Sequence, residues 1–178
     1  YKSFEEFMQK RDPDKPFFFW HGNTSVAQGK WKYDPEHWGE MSPDTVVVPP
    51  YLPDIREVRE TILAYYTGVQ KQDQIFGDAV ALLEKEKLLE DTMVIYTSDN
   101  GWQMPRGLAN CYDAGTRIPM AVRWGDRLEA GKETDAFVSL TDFGPTFLDL
   151  AGADIPDEMT GASFADIILG KESSAKRD

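Results

Sequence analysis

A single cysteine, no apolar run of membrane length and a shortage of positive charge bound what this chain of 178 residues can be. Cys111 alone allows no internal disulfide and fixes no redox compartment. No stretch nears the roughly 20 apolar residues that a membrane-spanning helix needs. With 19 Lys and Arg against 31 Asp and Glu, the formal net charge is −12. That argues against a nucleic-acid partner, which requires a basic face to neutralise phosphates. Anions can still be held locally, because pocket charges rather than the sum decide binding. The opening residues do not read as a signal peptide. Residues Tyr1 to Met8 read instead as the middle of an amphipathic helix, so a fragment is expected. What is present, 41% apolar residues, suffices for one core, and a single partial domain over residues 1–178 is expected.

Helix and strand signals alternate along the chain, with no internal repeat. Ser3 is placed to cap a short helix with Phe4, Phe7 and Met8 inward, ended by the Pro13–Pro16 break. Phe17 to His21 reads as a strand buried on both faces, as in a parallel sheet. Residues 22–51 are rich in Gly, Pro, Asn, Asp and Trp and lack periodicity. They read as a long site-lining loop, ordered by Trp31, Tyr33 and Trp38. Asp54, with Glu57 three residues on, forms a capping box for a long helix striped by Val58, Ile62, Tyr65, Val69, Phe76, Val80 and Leu83. Gly68 and Gly77 are its weak points or close-packing sites. Thr92–Thr97 and Ile118–Trp124 read as strands, the second with Pro119 at its start or on an edge. Thr141 or Asp142 is placed to cap a helix carrying Phe143, Phe147 and Leu150 and closed by Gly152. A short helix follows Met159–Phe164, and residues 171–178 read as a frayed tail. The sum is an α/β fold, a mostly parallel sheet flanked by helices, with a site at the strand ends.

Ser98-Asp99-Asn100-Gly101 closes the apolar, β-branched run Thr92–Thr97. A carboxylate and an amide thus stand side by side at the carboxyl end of a strand, and a glycine frees the backbone to turn away. Both are hard oxygen donors of the type Ca²⁺ or Mg²⁺ prefers. The same four residues also make good Asx-turn chemistry, with no ligand at all.

The order of motifs resembles the sulfatase family within the alkaline-phosphatase superfamily. Asp91–Gly101 is similar to the family's D-N-T-hydrophobic-T-S-D-N-G strand, and Tyr112–Pro119 to its Y-[DE]-G/A-G-[TI]-R-V-P. Ser139–Gly152 matches its S-x-x-D-x-x-P-T-x-x-x-x-A-G, Gly161-Ala162-Ser163 its following G-x-S, and Lys15–Phe18 its K-P-F-F strand. The resemblance implies a metal-dependent hydrolase of sulfate esters with a sulfated small molecule or glycan as substrate, and a periplasmic, secreted or lysosomal setting. It implies a divalent cation, Ca²⁺ ahead of Mg²⁺, with Asp99 and Asn100 as two of four protein ligands. The other two, an amino-terminal Asp-Asp pair, and the nucleophile motif C/S-x-P-x-R are not in these residues. The chain therefore resembles the carboxyl-terminal part of the catalytic domain, and the isolated chain is expected to be catalytically silent. An unpaired sheet edge would favour self-association.

Two departures from the family pattern stand out. Ala27 occupies the position of a histidine that contacts sulfate or the leaving oxygen, and Leu108 that of a sulfate-gripping lysine. Losing one charge-stabilising donor costs about 2.7–4 kcal/mol in the barrier. Arg106 is the candidate substrate-binding replacement, since guanidinium donors suit tetrahedral anions. Lys30 and His21 are weaker candidates, a loop charge and a strand-end residue. Asp113 and Arg117 are expected to brace their loop as an ion pair. Three readings follow: part of a working sulfatase, a non-catalytic sulfatase-like module binding an anionic ligand or a protein, or a phosphoryl-transfer relative. Asp-Asn in place of Asp-His weighs against the third.

Overall fold

The computed structural model describes residues 2–27 and 40–171. Trp31, Tyr33, Trp38, Lys30 and the tail beyond Lys171 lie outside the described residues. The chain divides into two compact units: Tyr1–Lys87 with Asn100–Ile118, and Leu88–Asp99 with Pro119–Asp178.

The first unit is built on helices. In α1 (Phe4–Lys10), the Ser3 side chain accepts from the Glu6 amide, as the sequence indicated. Phe4 and Phe7 pack on Phe19, at ring-centroid distances of 5.0 and 4.9 Å. Phe17 to His21 is a correction. Among the described residues it lies in no ladder, and its odd and even residues part company: Phe17 and Phe19 turn to α1, whereas Phe18 and Trp20 are 66% and 73% exposed. A run of aromatics signals a strand covered on both faces, but here Phe18 and Trp20 stay largely exposed.

The 30-residue α2 (Arg56–Lys85) forms as expected but buries only Ile62 and Leu83 of the expected stripe, together with Leu63, Ala64 and Gly68, while Val69 is exposed. Its start differs from expectation. Ile55 is the N-cap, with no side-chain cap, because Asp54 is drawn into a two-oxygen pair with the Arg59 guanidinium at 2.5 and 2.8 Å. That pairing holds the Asp54 carboxyl below its ordinary range. Arg59 also donates to the carbonyls of Pro43 and Val46, pinning the short turn Pro43–Thr45 onto the helix. Val46, Ile62 and Leu63 then form a core that Tyr66, Trp102 and Met104 complete.

The second unit pairs β1 (Val94–Thr97) with β2 (Met120–Arg123). The register sets Val94 opposite Arg123 and Thr97 opposite Met120. The pairing is antiparallel, and among the described residues the expected mostly parallel sheet is not formed. A parallel neighbour needs a crossover that carries the chain back along the sheet. The segment between these strands holds only the one-turn α3 (Asp113–Thr116), too short for that journey. Pro119 sits just ahead of β2, where a missing N–H costs nothing, and its carbonyl accepts from the Thr97 hydroxyl at 3.1 Å.

Ser139 and Asp142 form a capping box on the turn leading into α4 (Phe143–Leu150), and Gly152 closes that helix with φ +68°. The two Asp142 carboxylate oxygens accept from the amides of Ser139 and Ala162. Thr146, fully buried, donates to the Asp142 carbonyl and accepts from the Phe164 amide at 2.9 Å. These bonds satisfy the backbone where α5 (Ala165–Ile168) turns in, and Phe143, Phe164 and Ile168 form the core.

The glycines of α2 separate by environment. A Cβ at Gly77 would meet nothing within 4 Å, whereas one at Gly68 would stand 2.7 Å from the Ser25 carbonyl oxygen. Gly77→Ala is therefore expected to stabilise the chain by about 0.5–1 kcal/mol through helix propensity. Gly68→Ala is expected to destabilise it by about 1–3 kcal/mol through overpacking. Urea denaturation of the two variants beside the parent checks both signs.

Candidate functional site

β1 delivers the Ser98–Gly101 segment. Its four residues are all half-buried, and the chain bends at Asp99 and Asn100 directly after the ladder ends. Asp99 is exposed and Asn100 half-buried.

Gly101 makes the turn possible. Its amide donates to the Gly115 carbonyl at 2.9 Å, and a Cβ on Gly101 would fall on the Ala114 carbonyl oxygen. Gly115 is equally hemmed in, with the Asn110 carbonyl where its side chain would be. The loop from Gly101 to Gly115 thus closes backbone against backbone. Inside it, Leu108 N–H donates to the Trp102 carbonyl at 2.8 Å and Gly107 N–H to Met104 at 2.9 Å. Trp102 anchors the loop against Tyr65 of α2, ring edge to face at 5.9 Å.

Arg106 stands in this loop with φ +62°, a left-handed conformation uncommon for a non-glycine residue. Its guanidinium carbon lies over two rings, 5.0 Å from the centroid of Tyr51 and 5.1 Å from that of Tyr112. Such contacts hold a guanidinium in place while leaving its in-plane N–H donors available. The sequence raised Arg106 but gave no sign of Tyr51, which is 55 positions away and reaches it only through the fold.

The other sequence candidates fall elsewhere. Leu108 is 42% exposed, and Ala27 is half-buried with its amide bonded to the Thr24 carbonyl, so neither offers a charged donor. His21 lines a cleft of about 370 Å³ with Phe4, Ile75, Ala79 and Leu82, none of them from the Gly101–Gly115 loop. Asp113 and Arg117 form no ion pair. The Arg117 amide instead bonds the Asp113 carbonyl, closing α3, and both side chains are exposed. Cys111 is an exposed free thiol. The acidic stretch Asp154–Glu158 is exposed throughout, as a solvated turn should be.

For a divalent cation the donor chemistry of Asp99 and Asn100 fits, because both present hard oxygens. The number does not suffice, since Ca²⁺ takes six to eight oxygens. Among the described residues no group of three or more His, Cys, Asp or Glu side chains is arranged to hold an ion.

The loop closure gives a direct test. Gly101→Ala is expected to cost about 1–3 kcal/mol, because backbone and not a flexible side chain must move. Hydrogen exchange should show faster exchange of the amides across 101–118, with α2 unaffected. Unchanged protection in the loop would mean that it does not depend on this contact.

Residues 1–153 match the family model described as Sulfatase. The ulvan-active sulfatase of Formosa agariphila is 33% identical over 155 residues, covering 86% of this chain and 25% of that protein. Human N-sulphoglucosamine sulphohydrolase is 39% identical over 174 residues, covering 81% of this chain and 33% of that protein. A solved structure of a protein in complex with its substrate, D-glucosamine-2-N,6-O-disulfate, superimposes with a TM-score of 0.60 at 26% identity, over 68% of this chain and 27% of that one. The chain spans between about a fifth and a third of the length of the curated relatives it matches. With the family match running through all but the last 25 of its 178 residues, the chain belongs to the sulfatase family.

Proposed function

We propose that this chain is the carboxyl-terminal part of the catalytic domain of a metal-dependent sulfatase that hydrolyses sulfate esters of small molecules or glycans. Asp99 and Asn100 would provide two of the oxygen ligands for a divalent cation, Ca²⁺ ahead of Mg²⁺. The nucleophile and the remaining ligands would come from a segment outside this sequence, so the chain alone would be silent. The single observation that carries the reading is the Asp99-Asn100 pair at the end of β1, held by the Gly101–Gly115 closure within a chain of this family.

A bound divalent cation supplies positive charge against the sulfuryl oxygens as the ester bond breaks. The chain's own contribution is positional. The β1 ladder fixes where Asp99 leaves the sheet, and Gly101 fixes the turn that keeps Asn100 next to it. β1 and β2 each pair on one side only among the described residues, and such edges would support association between copies of the isolated chain.

A second reading has its own support. Ala27 and Leu108 place a methyl and an isobutyl group where the family pattern has charged or polar donors. A sulfatase-like module that binds an anionic ligand without turning it over would tolerate both.

The test is turnover of 4-nitrophenyl sulfate by the protein at its full natural length, with CaCl₂ and with EDTA. The expected result is calcium-dependent turnover, lowered about 10²–10³-fold by Asp99→Ala, the scale of losing a charge-stabilising group. Turnover unchanged by Asp99→Ala would remove that residue from the cation site. No turnover in calcium, with retained binding of the ester, would establish the module reading instead.

A further inference from the structure

We infer that Asn100 is a latent deamidation site, and that the backbone contact between Gly101 and Gly115 is the gate that keeps it unmodified. The co-reactant is water, and the products are aspartate and isoaspartate at position 100. The inference goes beyond the sulfate-ester reading and does not depend on it.

The sequence supplies the reactive pair. Of the three asparagines, Asn23, Asn100 and Asn110, only Asn100 precedes a glycine. In the reaction the backbone nitrogen of the following residue attacks the asparagine Cγ. A new C–N bond closes a succinimide ring, the bond from Cγ to Nδ2 breaks, and the attacking nitrogen's proton leaves with the side-chain nitrogen as ammonia. Water then opens the ring. Addition at the former side-chain carbon gives aspartate. Addition at the former backbone carbonyl gives isoaspartate, whose main chain runs through Cβ and Cγ and is longer by a methylene. No oxidant or reductant takes part. A side chain on the following residue obstructs the attack, and Thr24 and Cys111 supply one after Asn23 and Asn110. Glycine supplies none and leaves the peptide plane free to turn.

The structure both demands this pair and restrains it. A Cβ on Gly101 would fall on the Ala114 carbonyl oxygen, so packing forbids the bulkier residue that would protect Asn100. The same close approach lets the Gly101 amide donate to the Gly115 carbonyl at 2.9 Å. Attack requires that nitrogen to give up its proton and turn its face to Cγ, and the hydrogen bond holds both the proton and the peptide plane. Gly115 is itself fixed between the carbonyls of Asn110 and Gly107, and Trp102 ties the loop to Tyr65. Deamidation therefore proceeds from the open loop, at a rate set by how often the loop opens. Conversion puts a second carboxylate next to Asp99, or lengthens the main chain at the loop's entry, so closure preserves a neutral amide there.

The test is incubation of the full chain at mildly alkaline pH. Peptide mass spectrometry follows the gain of one dalton at Asn100, and isoaspartyl methyltransferase labelling reports the isoaspartate. The native chain is expected to convert at least about tenfold more slowly than the chain unfolded in guanidinium chloride, the difference reporting loop opening. Gly115→Ala, which sets a methyl group against the Asn110 carbonyl, should raise the native rate at least about threefold. Tyr65→Leu leaves the sequence around Asn100 intact and removes the ring on which Trp102 packs. It should act in the same direction, and it serves should melts by circular dichroism show that Gly115→Ala does not fold. Asn23 and Asn110 are internal controls that should lag behind Asn100 in every sample. Equal rates in the native and unfolded chain would overturn the inference. So would an unchanged rate in the folded variants, or conversion of Asn23 or Asn110 as fast as Asn100 in guanidinium chloride.

Discussion

Two glycines that cannot carry side chains govern the functional end of this chain. Gly101 and Gly115 meet backbone to backbone, with a carbonyl oxygen where each Cβ would stand. That contact closes the excursion between β1 and β2 into a compact loop rather than an open one. Asn100 enters the loop at its base, Arg106 lies at its left-handed corner, and Tyr112 stands beside the one-turn helix that ends it. A methyl group at either glycine would force backbone to move, so the loop's shape is fixed by sterics more than by any ion pair. The ion pair expected within it, Asp113 with Arg117, does not form.

Charge is handled in the same economical way. The chain is strongly acidic, and Arg56, Arg123 and Arg127 are spent on exposed pairs that contribute little to stability. Arg59 is the structural exception, tying the Pro43–Thr45 turn to α2 through two carbonyls as well as Asp54. Arg106 lies over the rings of Tyr51 and Tyr112, with no ion pair among the described residues.

Much of the local structure was legible in the sequence because local rules decide it. The Ser3 cap, the long helix α2, the start of β2 after Pro119 and the Gly152 stop rest on spacing, sterics and propensity. What misled was context. Phe17–His21 reads as a doubly buried strand, but Phe17 and Phe19 pack against α1 while Phe18 and Trp20 stay largely exposed, so alternation replaces burial. Asp54 looks like a cap, but a guanidinium five residues on outcompetes the helix amides. The parallel sheet inferred from apolar runs is an antiparallel pair among the described residues, because strand direction is set by the intervening chain. At the site, Asp99, Asn100 and Arg106 could be named from residue type and motif. Tyr51 could not, since only tertiary structure joins positions 51 and 106.

The most direct test of the cation proposal is a CaCl₂ titration of the ¹⁵N-labelled chain followed by NMR. The expected result is chemical-shift change concentrated at the amides of Asp99, Asn100 and Gly101, saturable at millimolar calcium and absent in Asn100→Ala. Shifts gathered on the solvated carboxylates of Asp154–Glu158, with residues 99–101 unmoved, would contradict it.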